Sequence, residues 1–293
     1  MKPVAVLALS LLCAALPAAQ AHESLKTQKA TAKGAIDSRR IDAPARNSLY
    51  ACRGTTLGQS LSRPWLGPDG TIYFADKPVV EGSVAWSGGL GATVGDGVFR
   101  VEGNALPLHG TGVFPIAAGS EAARYDRNPN SISAQVMTLT IPSAPQVAAK
   151  PSCLPGGPIG LAITGAVFFN ALDADNRDAV AHEVLDSCEG HPQQSGLYHY
   201  HHDSPCLPQG EADQHSPLVG VALDGFFIYG PRDHGGRLIS NDELDECHGH
   251  EAPVLDIDGV VKTKYHYHIN REFPYTLGCF KGVVNYRAMS IRR

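Results

Sequence analysis

The sequence predicts a mainly β protein with short helices, a β-rich α+β fold that is internally duplicated and disulfide-bonded. Three observations predict it. Short apolar runs are separated by glycine- and proline-containing stretches, the pattern of strands and turns. One phrase is written twice, Tyr198-His199-Tyr200-His201 and Tyr265-His266-Tyr267-His268, each preceded by Cys-x-Gly-His and followed by another cysteine. Beyond the first residues the cysteines form an even set: Cys52, Cys153, Cys188, Cys206, Cys247 and Cys279.

Residues 1–21 read as a signal peptide. Lys2 precedes an apolar run from Val4 to Leu16, and Ala19-Gln20-Ala21 is a small-x-small cleavage site, so the mature chain would start at His22. Cys13 lies inside that run behind Leu12, where a lipidated cysteine would need a small residue. No other run is long enough to span a bilayer. The product is therefore expected to be periplasmic or secreted, without a transmembrane segment, in a compartment where disulfides persist. Residues 22–70 read as a polar arm or linker, with no apolar periodicity at their start.

The domain proper is expected over residues 71–285. Its first part, 71–150, is β-rich, with strands at Thr71–Phe74, Ser83–Trp86, Val98–Val101 and Ser131–Ile141. Pro142, Pro145, Pro151, Pro155 and Pro158 then read as a stiff connection. Two related units follow, 159–206 and 220–282. Gly160-Leu-Ala-Ile-Thr-Gly165 before Phe168-Phe169 matches Gly220-Val-Ala-Leu-Asp-Gly225 before Ile228-Tyr229, and both look like buried strands. Between Arg177 and Cys188, residues Val180, Val184 and Cys188 have helical spacing, with Asp175 or Asn176 as N-cap. Asn241 to Leu244 begins a shorter helical turn. Each unit then runs Leu-Asp-x-Cys-x-Gly-His into its Tyr-His-Tyr-His strand, and two such units are expected to pair about a pseudo-twofold axis around one core. Equivalence of the units favours Cys188–Cys206 and Cys247–Cys279, which leaves Cys52 with Cys153.

Histidine chemistry is the expected function. On a strand, the period of two puts His199 and His201 on one face and the tyrosines on the other, and His266 with His268 repeats this. Four imidazoles could then converge on one ion, with His191 and His250 as added ligands. Copper or zinc ranks before calcium for such donors. The competing reading makes the histidines hydrogen-bonding core residues. Asp173-Ala-Asp175-Asn176-Arg177-Asp178 fails the calcium-loop pattern because Arg177 occupies a ligand position. His182-Glu183 resembles the start of a zinc-protease helix, but Asp186 stands where the second histidine belongs. His22 could chelate copper through its amine and ring. A net charge of −5 without a basic stripe argues against nucleic acid as a partner.

Tyr125-Asp-Arg-Asn-Pro-Asn-Ser131, Arg177-Asp-Ala-Val-Ala-His-Glu183, Gly190-His191-Pro192, Gly220 to Pro231 and Phe273 to Phe280 together resemble the family of secreted proteins named for its YHYH motif. The resemblance runs from about Gly103 to Gly282. It implies export and duplication and supplies no catalytic assignment. The expected role is thus exported divalent-metal binding. A metal-dependent hydrolase or copper oxidoreductase, with Asp224, Glu183 or Asp186 as base, is one alternative. A non-catalytic extracellular structural or adhesion module is the other.

Overall fold

The computed structural model describes residues 31–35 and 40–293. The signal segment, Cys13, His22 and the start of the expected arm lie outside the described residues. Strand β1 (Thr31–Lys33) pairs antiparallel with β2 (Thr71–Tyr73). Strands β3 (Leu90–Gly95), β4 (Val98–Gly103) and β5 (Val136–Pro142) form an antiparallel meander. Strand β6 (Val147–Ser152) follows within the proline-rich stretch, where the sequence reading expects a stiff connection. It can be a strand because its partner, late in the chain, covers only one edge of it.

Eight strands then build the central sheet: β7 (Pro158–Ala162), β8 (Val167–Phe169), β9 (Gly190–Pro192), β10 (Tyr198–Tyr200), β11 (Leu218–Ala222), β12 (Phe227–Tyr229), β13 (Gly249–Leu255) and β14 (Val261–His268). Their order is β13-β14-β12-β11-β7-β8-β10-β9, the same read inward from either edge. At the centre β7 and β11 run antiparallel, with Gly160 opposite Ala222 and Gly220 opposite Ala162. Glycine is required at both places, since a Cβ on Gly160 would meet the Val221 carbonyl at 2.7 Å and one on Gly220 the Leu161 carbonyl at 2.5 Å. β15 (Phe280–Gly282) pairs with β6, and β16 (Met289–Arg292) completes the meander against β5.

Helix is scarce. α1 covers only Ala179–His182, capped by Asp178, whose carboxylate accepts from Ala181 N at 3.2 Å. The expected helix to Cys188 and its cap at Asp175 or Asn176 are not formed. The chain turns extended at Glu183 because Val184 N donates to Asp126 Oδ2 and Val80 bridges Asp186, pairings that displace a helical ladder. The expected shorter turn at Asn241 is a 3-10 turn, Asn241–Glu243, closed by a capping box with Ser240. Ser83–Trp86 contributes a single bridge, Val84 with Thr111, and the expected strand from Ser131 begins only at Val136.

Residues 40–70 depart from the arm expected there: Ile41, Leu49 and Trp65 are fully buried. Trp65 donates its indole N–H to Ala181 O at 2.9 Å, and His182 Nε2 accepts from Leu61 N at 2.9 Å. This segment wraps α1 and fixes the point where the chain leaves it. Three disulfides, Cys52–Cys153, Cys188–Cys206 and Cys247–Cys279, staple the wrap and the two motif turns.

Candidate metal centres

Each motif strand is the inner member of a hairpin at one side of the central sheet. β9 pairs antiparallel with β10, placing His191 opposite His199; β13 pairs with β14, placing His250 opposite His266. Alternation puts the tyrosines on the other face, in the core. Tyr198 donates to Asp186 at 2.8 Å, Tyr265 to Asp245 at 3.1 Å and Tyr267 to Asp224 at 2.5 Å, while Tyr200 meets Thr164 at 3.1 Å and His109. The turn before each hairpin is built on one aspartate: Asp186 accepts from Cys188 N and Gly190 N, and Asp245 from Cys247 N and Gly249 N. Asp186 and Asp224 are thus buried scaffold carboxylates; of the three candidate bases, only Glu183 reaches a histidine cluster.

His199 Nε2 lies 3.1 Å from His201 Nε2, and His201 Nε2 lies 3.3 Å from His191 Nε2. Glu183 Oε2 sits 3.3 Å from both His191 Nε2 and His201 Nε2. The ring protons decide what these contacts mean. His199 Nδ1 faces Leu197 O at 3.2 Å and His201 Nδ1 faces Asn170 O at 2.5 Å. A carbonyl only accepts, so each Nδ1 carries a proton, and in the neutral ring each Nε2 then points a bare lone pair at its neighbour. Two facing lone pairs repel unless a cation lies between them. Corners of a tetrahedron around an ion with metal–nitrogen bonds of about 2.0–2.1 Å are about 3.3 Å apart, close to the spacing seen.

The second cluster has its own four rings. His266 Nε2 lies 3.0 Å from His268 Nε2 and 3.2 Å from His250 Nε2. His215, from the segment before β11, joins His266 and His268 with all three ligand atoms within 4.8 Å. Again the second nitrogens are pinned to carbonyls: His266 Nδ1 to Lys264 O at 3.0 Å, His268 Nδ1 to Gly230 O at 2.6 Å and His215 Nδ1 to Ser216 O at 2.7 Å. Among the described residues, few buried side-chain polar atoms lack a hydrogen bond, and both Glu183 Oε2 and His215 Nε2 are among them. Each points into one of the two clusters.

Burial is the leading cause of every shift here. It holds His191 and His199 well below the usual imidazole range, with neighbouring rings adding to it. It takes His266 down to about 3 and lowers His268, His215 and His250. Neutral imidazoles are the ligating form. Burial also pushes the Glu183 carboxyl up, opposed by its contact with His201.

The structure does not bring His199, His201, His266 and His268 together. Between β10 and β14 stand β8, β7, β11 and β12, five inter-strand steps or about 24 Å. The β7–β11 pair occupies the centre, so the motif strands are carried toward opposite edges. The sequence offers Glu183 only as a base and gives no signal for His215. Neither belongs to the repeated phrase, and only the fold delivers them. A third group, His109 with Cys188 and Cys206, has its sulfurs joined in a disulfide and its ring engaged by Tyr200 and Gly110.

Residues 138–236 match the family model described as YHYH protein. The match contains the first motif strand, Glu183 and His215, and ends before Tyr265-His266-Tyr267-His268, a narrower span than the resemblance from Gly103 to Gly282. No curated protein and no solved structure matches the chain.

Proposed function

We propose that this is an exported metal-binding protein that holds one divalent ion in each histidine cluster, copper or zinc in preference to calcium. The observation that carries it is the set of bare Nε2 lone pairs facing one another at 3.0–3.1 Å while each Nδ1 is spent on a backbone carbonyl. That division of the two ring nitrogens is what metal-bound imidazoles make with their outer shell. The first centre would draw on His199, His201 and Glu183, with His191 beside them; the second on His266, His268 and His215, with His250 beside them. Imidazole donors suit copper and zinc, whereas calcium takes oxygen ligands. Export is supported by the leader in the sequence and by the three disulfides, which persist in oxidising compartments.

Elemental analysis and calorimetric titration of metal-stripped protein test this reading. Two separate clusters predict two ions per chain, and one ion after His199 and His201 are both replaced by Gln. Replacing His266 and His268 likewise leaves one. Loss of all binding with either pair would restore a single shared ion, and no tight binding by the folded parent would leave the histidines as hydrogen-bonding core residues.

A metal-dependent enzyme is the second reading, favoured by a cleft at the first cluster. There a cleft of about 740 Å³ reaches His191, His199, His201 and Glu183, and it is lined by the amides of Asn128, Asn130, Gln193 and Gln194.

A further inference from the structure

Resting on that reading, we infer that His191 is not a metal ligand: it presents an Nε2–H to an open, exchangeable coordination position, and the first centre is a two-histidine, one-carboxylate site that takes water or a small anion from the cleft.

The assignment follows from Asn128. Its Oδ1 accepts from Asn130 N at 2.9 Å, which fixes which end of the amide is nitrogen. Its Nδ2 donates to Pro192 O at 2.9 Å and faces His191 Nδ1 at 3.3 Å. An amide N–H only donates, so His191 Nδ1 is the acceptor and the ring proton of the neutral imidazole sits on Nε2. His199 and His201 are wired the opposite way, with Nδ1 donating to carbonyls. Three Nε2 atoms therefore crowd one centre, but only two of them offer lone pairs. The third offers a hydrogen.

Glu183 supplies the missing anionic donor. Its Oε2 is buried and lies 3.3 Å from both His201 Nε2 and His191 Nε2, so the His191 N–H also reaches this carboxylate. Two imidazoles and a carboxylate leave a position open on zinc, copper or iron, and such positions hold the exogenous ligand in catalytic metal sites. His191 Nε2–H sits where it would hydrogen-bond an oxygen or nitrogen bound there. The cleft gives that position an entrance. In the second cluster His215 brings another lone pair instead, because its Nδ1 is held by Ser216 O at 2.7 Å. His266, His268 and His215 there offer three imidazole lone pairs and no carboxylate, so the two centres differ in donor set.

The test uses the full chain loaded with copper(II) and azide as probe. One azide-responsive copper per chain is expected from the charge-transfer absorption, retained in the His266→Gln/His268→Gln variant and lost in His199→Gln/His201→Gln. His191→Phe should keep both coppers while azide binds about tenfold more weakly, the loss expected for one hydrogen bond to an anion. Loss of the first copper in His191→Phe would overturn the inference. Should that variant fail to fold, pulsed EPR of His266→Gln/His268→Gln, with His191 intact, counts the imidazoles on the remaining copper. Two support the inference and three overturn it. A parent that binds no copper fails the two-centre reading itself, a result distinct from either count.

Discussion

A neutral imidazole has one proton to place, and in this chain the backbone decides where it goes. The sequence shows His-x-His with period two, and the face those rings share is indeed common to each pair. What period two cannot show is the tautomer, which depends on Leu197 O, Asn170 O, Lys264 O and Gly230 O reached through the fold. Glu183 and His215 were hidden for the same reason: they enter from a helix exit and an inter-strand segment with no local pattern. The core face carries its own titrating group. Burial pushes Asp224 up to about 6 from 3.8, against donors from Tyr267, Gly282 and Phe226. A carboxyl whose pKa rises on folding contributes stability that is present below the unfolded value and lost as pH rises through the folded one. Asp224→Asn, which stays neutral, should therefore cost most near pH 4 and less by about 3 kcal/mol above pH 6. Denaturant titrations of metal-free parent and variant at several pH values measure this; a cost that grows with pH would show the ionised form to be the favoured one.

Short elements, each held by a distant partner, explain which parts of the fold were legible. β2, β4 and β5 overlap runs visible in the sequence because alternation and turn residues bound them. The sequence overstates α1 because Val180, Val184 and Cys188 happen to have helical spacing, while Asp126 and Val80 claim the chain after Glu183. Residues 40–70 look like an arm in the sequence because Ile41, Leu49, Leu57 and Trp65 are scattered without a period, although all four are buried. Their packing governs the first centre. Trp65 holds Ala181 O and Leu61 N holds His182, so the exit of Glu183 from α1 is set by this wrap. Trp65→Ala should cost about 3–5 kcal/mol, the range for deleting a fully buried large aromatic. It should weaken metal binding at the first centre and leave the second unchanged. Metal titration with a melting curve checks both, and equal weakening at the two centres would argue against a local route through α1.

At the largest scale, the described residues interlock, and the two motif-bearing segments share one sheet. Their outermost strands stand at opposite edges, but their innermost strands, β7 and β11, are each other's partners at the centre of the sheet. The C-terminal segment also returns to finish the first half: β15 pairs with β6 and β16 with β5, Tyr275 donates to Asp178 at 2.6 Å, and Phe273 N to Lys33 O at 2.8 Å. Cutting the loop between Cys206 and Leu218 therefore breaks no strand yet exposes both sides of the β7–β11 pair. Each fragment would present an unpaired apolar edge and too small a core to offset its chain entropy. Residues 31–209 and 210–293 expressed separately should each be insoluble or melt without cooperativity. Expressed together they should assemble, recover a cooperative transition and bind metal with the stoichiometry of the intact chain. A cooperatively melting 210–293 fragment that binds its own ion would show instead that the second unit is an independent domain, and that the shared sheet is a contact between two folded bodies.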